Sequence, residues 1–260
     1  MIDTHAHLDD PQFDADRDTV LGRARQAGVD TIICVGTTLA SSRAAVRLAE
    51  SCPGLYAAVG IHPNSAAEAG PDDWLQVAAL LDHPRVVALG ETGLDRYRDF
   101  APLELQRDYF RRHLLLGRER DLPVVIHCRD AWEHLLPLVR EFAAAGPLRG
   151  VLHAFSGDVA TLAECIALGL YVSFAGNVSY TNKKFQTLRA AAVAAPADRV
   201  LIETDSPYLV PEPLRGRQRR NEPALLVHTA AALAVLRGAT PETLAAQTAE
   251  NARRLFRIAP

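Results

Sequence analysis

The chain has 260 residues, of which 48% are hydrophobic and 23% charged, with a formal net charge of -3. That length fits one α/β barrel or two small domains and can bury a sizeable core without disulfide or metal staples. The charge excludes a surface coated in basic residues for non-specific nucleic-acid binding, while leaving room for a local basic patch.

In chain order, the opening Met1-Ile2-Asp3-Thr4-His5 has no basic region followed by an apolar stretch, so no signal peptide is expected. Short apolar runs, several of them β-branched, predict strands over residues 2–7, 31–36, 55–62, 86–91, 124–127, 150–155, 170–174 and 200–205. Near-continuous apolar strands are those of a parallel sheet covered on both faces. Between them, helical patterns are predicted over 17–27, 39–51, 103–120, 131–145 and 159–168. Strand followed by helix, repeated with no long linker, predicts one (β/α)8 TIM barrel, a single domain spanning 1–260. The alternative, an open doubly wound sheet, normally carries a glycine-rich phosphate loop, and neither GxGxxG nor GxxxxGK[ST] occurs. Cys34, Cys52, Cys128 and Cys165 form no CxxC pair, so neither a zinc ribbon nor a disulfide framework is indicated. No apolar run is long enough for a membrane span, and a cytoplasmic, monomeric protein is the working expectation.

Chemistry enters where polar residues interrupt the apolar strand ends. His5 and His7 close the first predicted strand, Glu91 the fourth, His127 the fifth, His153 the sixth and Asp205 the eighth. Barrel enzymes place their active sites at the C-terminal ends of strands, so these six side chains converge on one rim. His5 and His7 are two residues apart, a spacing that puts both on one strand face. A lone histidine or a bare HxH is more often structural than a ligand. Six ligand types at successive strand ends are harder to attribute to accident, because a polar group there needs a partner. The nitrogen and oxygen donors suit Zn, Mn, Fe or Co better than Mg alone. Six ligands exceed what one open tetrahedral ion needs, so two ions sharing a carboxylate is the economical arrangement. His83, His113, His134 and His228 fall outside this pattern and are expected to be structural or solvated.

Asp3-Thr4-His5-Ala6-His7-Leu8, Gly60-Ile61-His62-Pro63, Gly90-Glu91-Thr92-Gly93-Leu94-Asp95, His127-Cys128-Arg129-Asp130-Ala131 and His153-Ala154-Phe155-Ser156-Gly157 together resemble the TatD-type metal-dependent deoxyribonucleases, a branch of the amidohydrolase-like barrels. Glu203-Thr204-Asp205-Ser206-Pro207-Tyr208-Leu209, Arg220-Asn221-Glu222-Pro223 and Glu250-Asn251-Ala252-Arg253-Arg254-Leu255-Phe256 extend the resemblance to the end of the chain. It implies that His5, His7 and Asp205 hold one divalent ion and His127 and His153 the other, with Glu91 bridging them. The ions expected are Mg, Mn or Zn. A glutamate at the fourth strand, where many superfamily relatives bridge with a carboxylated lysine, favours the nuclease branch. The implied activity is hydrolysis of DNA, trimming single strands from a 3′ end.

Two cations would activate a water and stabilise in-line displacement. Asp205 is expected to take the water proton, with Glu91 beside it as a catalytic residue, and Glu203 to orient a ligand from behind or else to pair with an arginine. His62, Arg129, Arg220 and Asn221 are expected to bind substrate, and Arg215, Arg217 and Arg219 form a basic loop with Arg220. Lys183 and Lys184 are weaker candidates. The chain departs from the family pattern at Asn64, Arg96 and Leu214, none of them an expected ligand. From the residues alone only hydrolysis follows. An amide, lactone or aminoacyl ester substrate, or a non-catalytic ligand-binding barrel, stays open.

Overall fold

The structure, a computed structural model, describes residues 1–98 and 100–259. Its eight strands are β1 (Ile2–Ala6), β2 (Thr31–Val35), β3 (Leu55–Val59), β4 (Val86–Asp95), β5 (Val124–Arg129), β6 (Gly150–Leu152), β7 (Tyr171–Phe174) and β8 (Val200–Ile202). They lie in one sheet in sequence order, every neighbouring pair parallel. The sheet curls until β1 meets the chain just past β8: Ala6 bridges Ser206, His7 N donates to Ser206 O (2.8 Å) and Asp205 N donates to His5 O (2.9 Å). The seam is thus built from two segments that carry predicted ligands.

Helices α1 (Arg17–Gln26), α2 (Leu39–Ser51), α3 (Asp73–Ala79), α4 (Leu103–Glu119), α5 (Trp132–Ala144), α6 (Val159–Ala167), α7 (Gln186–Ala194) and α8 (Leu226–Arg237) lie along the chain between and after the strands. Their buried faces and the outward strand residues, among them Ile32, Leu89, Ile126 and Phe174, form one continuous core. A second core fills the barrel interior with Ile33, Val35, Val125, Val151 and Leu201, and α9 (Pro241–Phe256) stoppers it with Ala252, Leu255 and Phe256. With one end plugged by α9, the opposite end is left for chemistry. Among the described residues no single helix is long and apolar enough to cross a membrane.

Two irregularities aim the predicted ligands. In β1 the register shifts between Asp3 and Ala6, and in β4 between Leu89 and Thr92. Ile2 and Ala88 belong to the interior core and Leu89 to the outer one. Plain alternation from those positions would point His5 and Glu91 outward. The irregularities reverse the parity, the way bulges re-aim side chains beside active sites, and all of these residues then face the mouth.

Candidate metal centre

Glu91, buried at the C-terminal mouth, is the centre of the cluster. Its Oε2 lies 3.3 Å from His5 Nε2 and 3.7 Å from His7 Nε2. Its Oε1 lies 2.9 Å from His127 Nδ1, 2.8 Å from His153 Nε2 and 3.3 Å from His62 Nε2. Asp205 Oδ1 joins the first group, 3.5 Å from His7 Nε2 and 3.8 Å from His5 Nε2. One carboxylate therefore divides the imidazoles into two sets, one on each oxygen. Asp205 reaches this position from a backbone with φ of 54°, in the left-handed region that aspartate tolerates better than most residues.

The hydrogen-bond partners behind the rings say which nitrogens carry protons. His7 Nδ1 lies 2.9 Å from Val35 O, which can only accept, so His7 is protonated there and turns a lone pair from Nε2 toward Glu91, Asp205 and His5 Nε2, the last 3.2 Å away. His127 Nε2 lies 3.2 Å from Asp95 Oδ2, which fixes its proton there and leaves a lone pair on Nδ1, facing Glu91. His153 Nδ1 faces Glu203 Oε1 at 3.4 Å and turns Nε2 to Glu91. Nitrogen lone pairs that converge on carboxylate lone pairs repel unless protons or cations lie between them.

The titration of the cluster reports the same tension. Burial works against charge on every one of these rings, yet Asp205 and Glu91 raise His7 to about 9, and Glu91 and Glu203 hold His153 well above its ordinary value. Burial likewise pushes Glu91 up, but the imidazoles, His153 foremost, hold its carboxyl well below the usual range. Burial instead keeps His5 and His62 below the ordinary imidazole value, so the cluster mixes rings that hold a proton with rings that offer a lone pair. Two carboxylates and four imidazoles, with His7 and His127 braced from behind by Val35 and Asp95, His153 facing Glu203 and His5 Nδ1 buried without a partner, fit a pair of divalent ions.

His62 differs from the other rings. Asn64 N donates to its Nδ1 (3.0 Å), so the proton sits on Nε2 and points at Glu91 as a donor. His62 groups in space with Glu91 and His127, but its tautomer makes it a hydrogen-bond donor at the centre. Glu203 is buried at the back of the mouth, accepts from Ala154 N (2.7 Å), and faces His153, with no arginine paired to it among the described residues. His113, in α4, accepts from Ile61 N (3.1 Å) and braces the turn that carries His62.

Sequence reasoning passed over Asp95. The predicted strand stops at Glu91, whereas β4 runs on to Asp95, which holds His127 and accepts from Asn64 Nδ2 (3.0 Å). Its signal was its place at the end of the Gly90-to-Asp95 motif. Gly93 lets the strand continue: its φ is 137°, and a Cβ there would stand 2.0 Å from His127 O.

The centre opens into a cavity of about 990 Å³ whose walls include Asp9, Asn64, Tyr97, Arg129, Asn177, Lys184 and Tyr208. Arg129 is at the mouth, as expected, with its guanidinium 3.7 Å above the Tyr97 ring. Arg220 and Asn221 stand apart from this cavity. Arg220 pairs with Asp16 (2.8 and 2.7 Å), and buried Asn221 donates to Thr204 O (2.8 Å) and accepts from Glu222 N (2.9 Å). Neither lines the cavity, and neither do Arg215, Arg217 or Arg219. Arg215 instead covers the Tyr180 ring at 3.9 Å and donates to Asn182. The cation at the cavity wall on that side is Lys184.

The family model described as TatD related DNase matches residues 2–257. An uncharacterized metal-dependent hydrolase, YabD, of Bacillus subtilis is 38% identical over 99% of both chains. A 3'-5' ssDNA/RNA exonuclease, TatD, of Klebsiella pneumoniae is 39% identical over 99% of this chain and 98% of its own. Among solved structures, the TatD homologue YJJV of Escherichia coli superposes with a TM-score of 0.92 at 30% identity, covering 100% of this chain and 98% of its own.

Proposed function

The chain belongs to the TatD-related DNase family of metal-dependent hydrolases, and from that premise we propose that it is a 3′-to-5′ exonuclease on single-stranded DNA, with residues 1–260 working as one domain. The observation that carries this reading is the divided Glu91 carboxylate, one oxygen toward His5 and His7 and the other toward His127 and His153. His5, His7 and Asp205 would hold one divalent ion, Mg, Mn or Zn, and His127 and His153 the other, with Glu91 between them. Two such ions, when bound, supply a water that attacks near neutral pH and stabilise both oxygens of an in-line displacement. Asp205 accepts the proton of the attacking water from the lip of the cavity, where its side chain is 13% exposed. His62 offers its Nε2 proton to the substrate phosphate, Arg129 and Lys184 meet the strand's phosphates at the wall, and Glu203 keeps His153 oriented.

The test is release of nucleotide from 3′-labelled and 5′-labelled strands by metal-loaded protein, run beside His127→Ala. Since the exonuclease relatives are named for both ssDNA and RNA, strands of both kinds belong in it. The 3′ label is expected to appear first, chelator to stop its release, and the variant to release none. Intact strands beside hydrolysis of an ester or amide panel would move the substrate to the amide, lactone or aminoacyl ester class.

A further inference from the structure

Three exposed aromatic side chains stand out among the described residues: Tyr97 (60%), Phe100 (60%) and Tyr208 (53%). Tyr97 and Tyr208 both line the cavity over the metal centre, and Phe100 belongs to the same loop as Tyr97. The other large exposed apolar residues, among them Leu75, Leu115, Val159, Val193 and Val235, are aliphatic and sit on the outer helices. A single exposed tyrosine is ordinary, but exposed aromatics gathered at a mouth that holds the chemistry are not explained by folding.

Tyr97 is also held in place. Asp95 Oδ1 accepts from the backbone of Tyr97 and Arg98 (2.9 Å each), while its Oδ2 faces His127 at 3.2 Å. One buried carboxylate thus ties the aromatic loop to a residue of the metal centre, so the ring stands at a set position relative to the reacting phosphate. Arg129 lies over the ring at 3.7 Å. A planar guanidinium stacked on a phenol ring is a surface on which a nucleobase can stack, with the same cation available to the adjoining phosphate. Within a strand, an unpaired base can splay out and present its face this way while a paired and stacked one cannot, which matches a single strand better than the interior of a duplex.

We infer that Tyr97, backed by Arg129, is the platform on which a nucleobase adjoining the scissile phosphodiester stacks. This rests on the nuclease reading above. The experiment measures KM and kcat for metal-loaded wild type, Tyr97→Ala and Tyr97→Phe on single-stranded oligonucleotides, either complete or lacking one base at successive positions from the 3′ end. On complete strands Tyr97→Ala is expected to raise KM about tenfold with little change in kcat, and Tyr97→Phe, which keeps the ring, to bring it back. At one position, removing the base raises the wild-type KM by a similar factor and adds nothing further to Tyr97→Ala. If the penalties of ring and base instead multiply at every position, or if the alanine variant leaves KM unmoved, Tyr97 holds no base and the inference is overturned. A wild type that releases nothing from any strand overturns the nuclease reading itself, and this inference with it.

Discussion

Asp205 is the residue at which geometry and chemistry can be separated most cleanly. Its φ of 54° lies in a region asparagine shares with aspartate, and asparagine matches it in shape. Asp205→Asn therefore keeps the backbone and the packing but removes the negative charge and the proton acceptor. Turnover is expected to fall about 10²–10⁴-fold while the melting temperature stays near wild type; a variant with most of its kcat intact would take Asp205 out of its role. The clustering of these six side chains was legible in the sequence for a physical reason. Histidine, glutamate and aspartate at the ends of apolar parallel strands stand against a uniform background, and a barrel gathers strand ends at one rim. Asp95 escaped because nothing in an apolar-run pattern says that β4 continues past Glu91. The Arg220 pair was not legible either, because a loop's charge does not disclose its partner, which is Asp16, far back in the sequence.

At the scale of elements, the eight strands were readable because each is covered on both faces and so appears as a short apolar run. Five of the helices were readable too, each ending within a residue or so of its pattern. Of the others, α3 is short and α8 is largely apolar around its circumference and shows little periodicity, whereas amphipathic α9, capped by Thr240 with Pro241 behind it, carried a signal that went unused. The two register shifts that aim His5 and Glu91 were not readable, since alternation in sequence does not reveal where it is broken. The pairing of β4 with β5 rests on glycine at position 93. Any side chain there meets the His127 backbone at 2.0 Å and must adopt a φ of 137°. Gly93→Ala is expected to destabilise the protein by roughly 3 kcal/mol, from strain and displaced packing together. Because the atom it strikes belongs to His127, the variant should also lose divalent metal, measured by metal content after dialysis. Unchanged denaturation and full metal content would mean that β4 and β5 have slack at this point.

For the whole molecule, closure of the barrel depends on joining the first strand to the segment after the last, and the ion pairs around Arg220 reinforce that join from outside. Arg23 of α1 grips buried Glu222 with two hydrogen bonds (2.7 and 2.6 Å), and Arg220 and Arg23 both reach Asp16 at the start of α1. The pairs link α1 to the loop that follows β8, so their contribution is to the stability of the closed barrel. The cation network, Arg220 foremost, lowers Asp16 from an ordinary 3.8 to about 2. A carboxylate with a depressed folded-state value stabilises the fold fully above its unfolded value and loses that contribution as pH falls through the folded one. Asp16→Asn should therefore unfold at lower urea than wild type at pH 7. The gap should persist down to about pH 4 and close as the pH approaches about 2. Because the pair is partly exposed, salt should narrow the gap as well. Arg220→Ala should share the loss of stability at neutral pH yet bind single strands with wild-type KM, since Arg220 lies off the cavity wall. A rise in KM with unchanged urea midpoint would reverse the assignment and return Arg220 to the substrate.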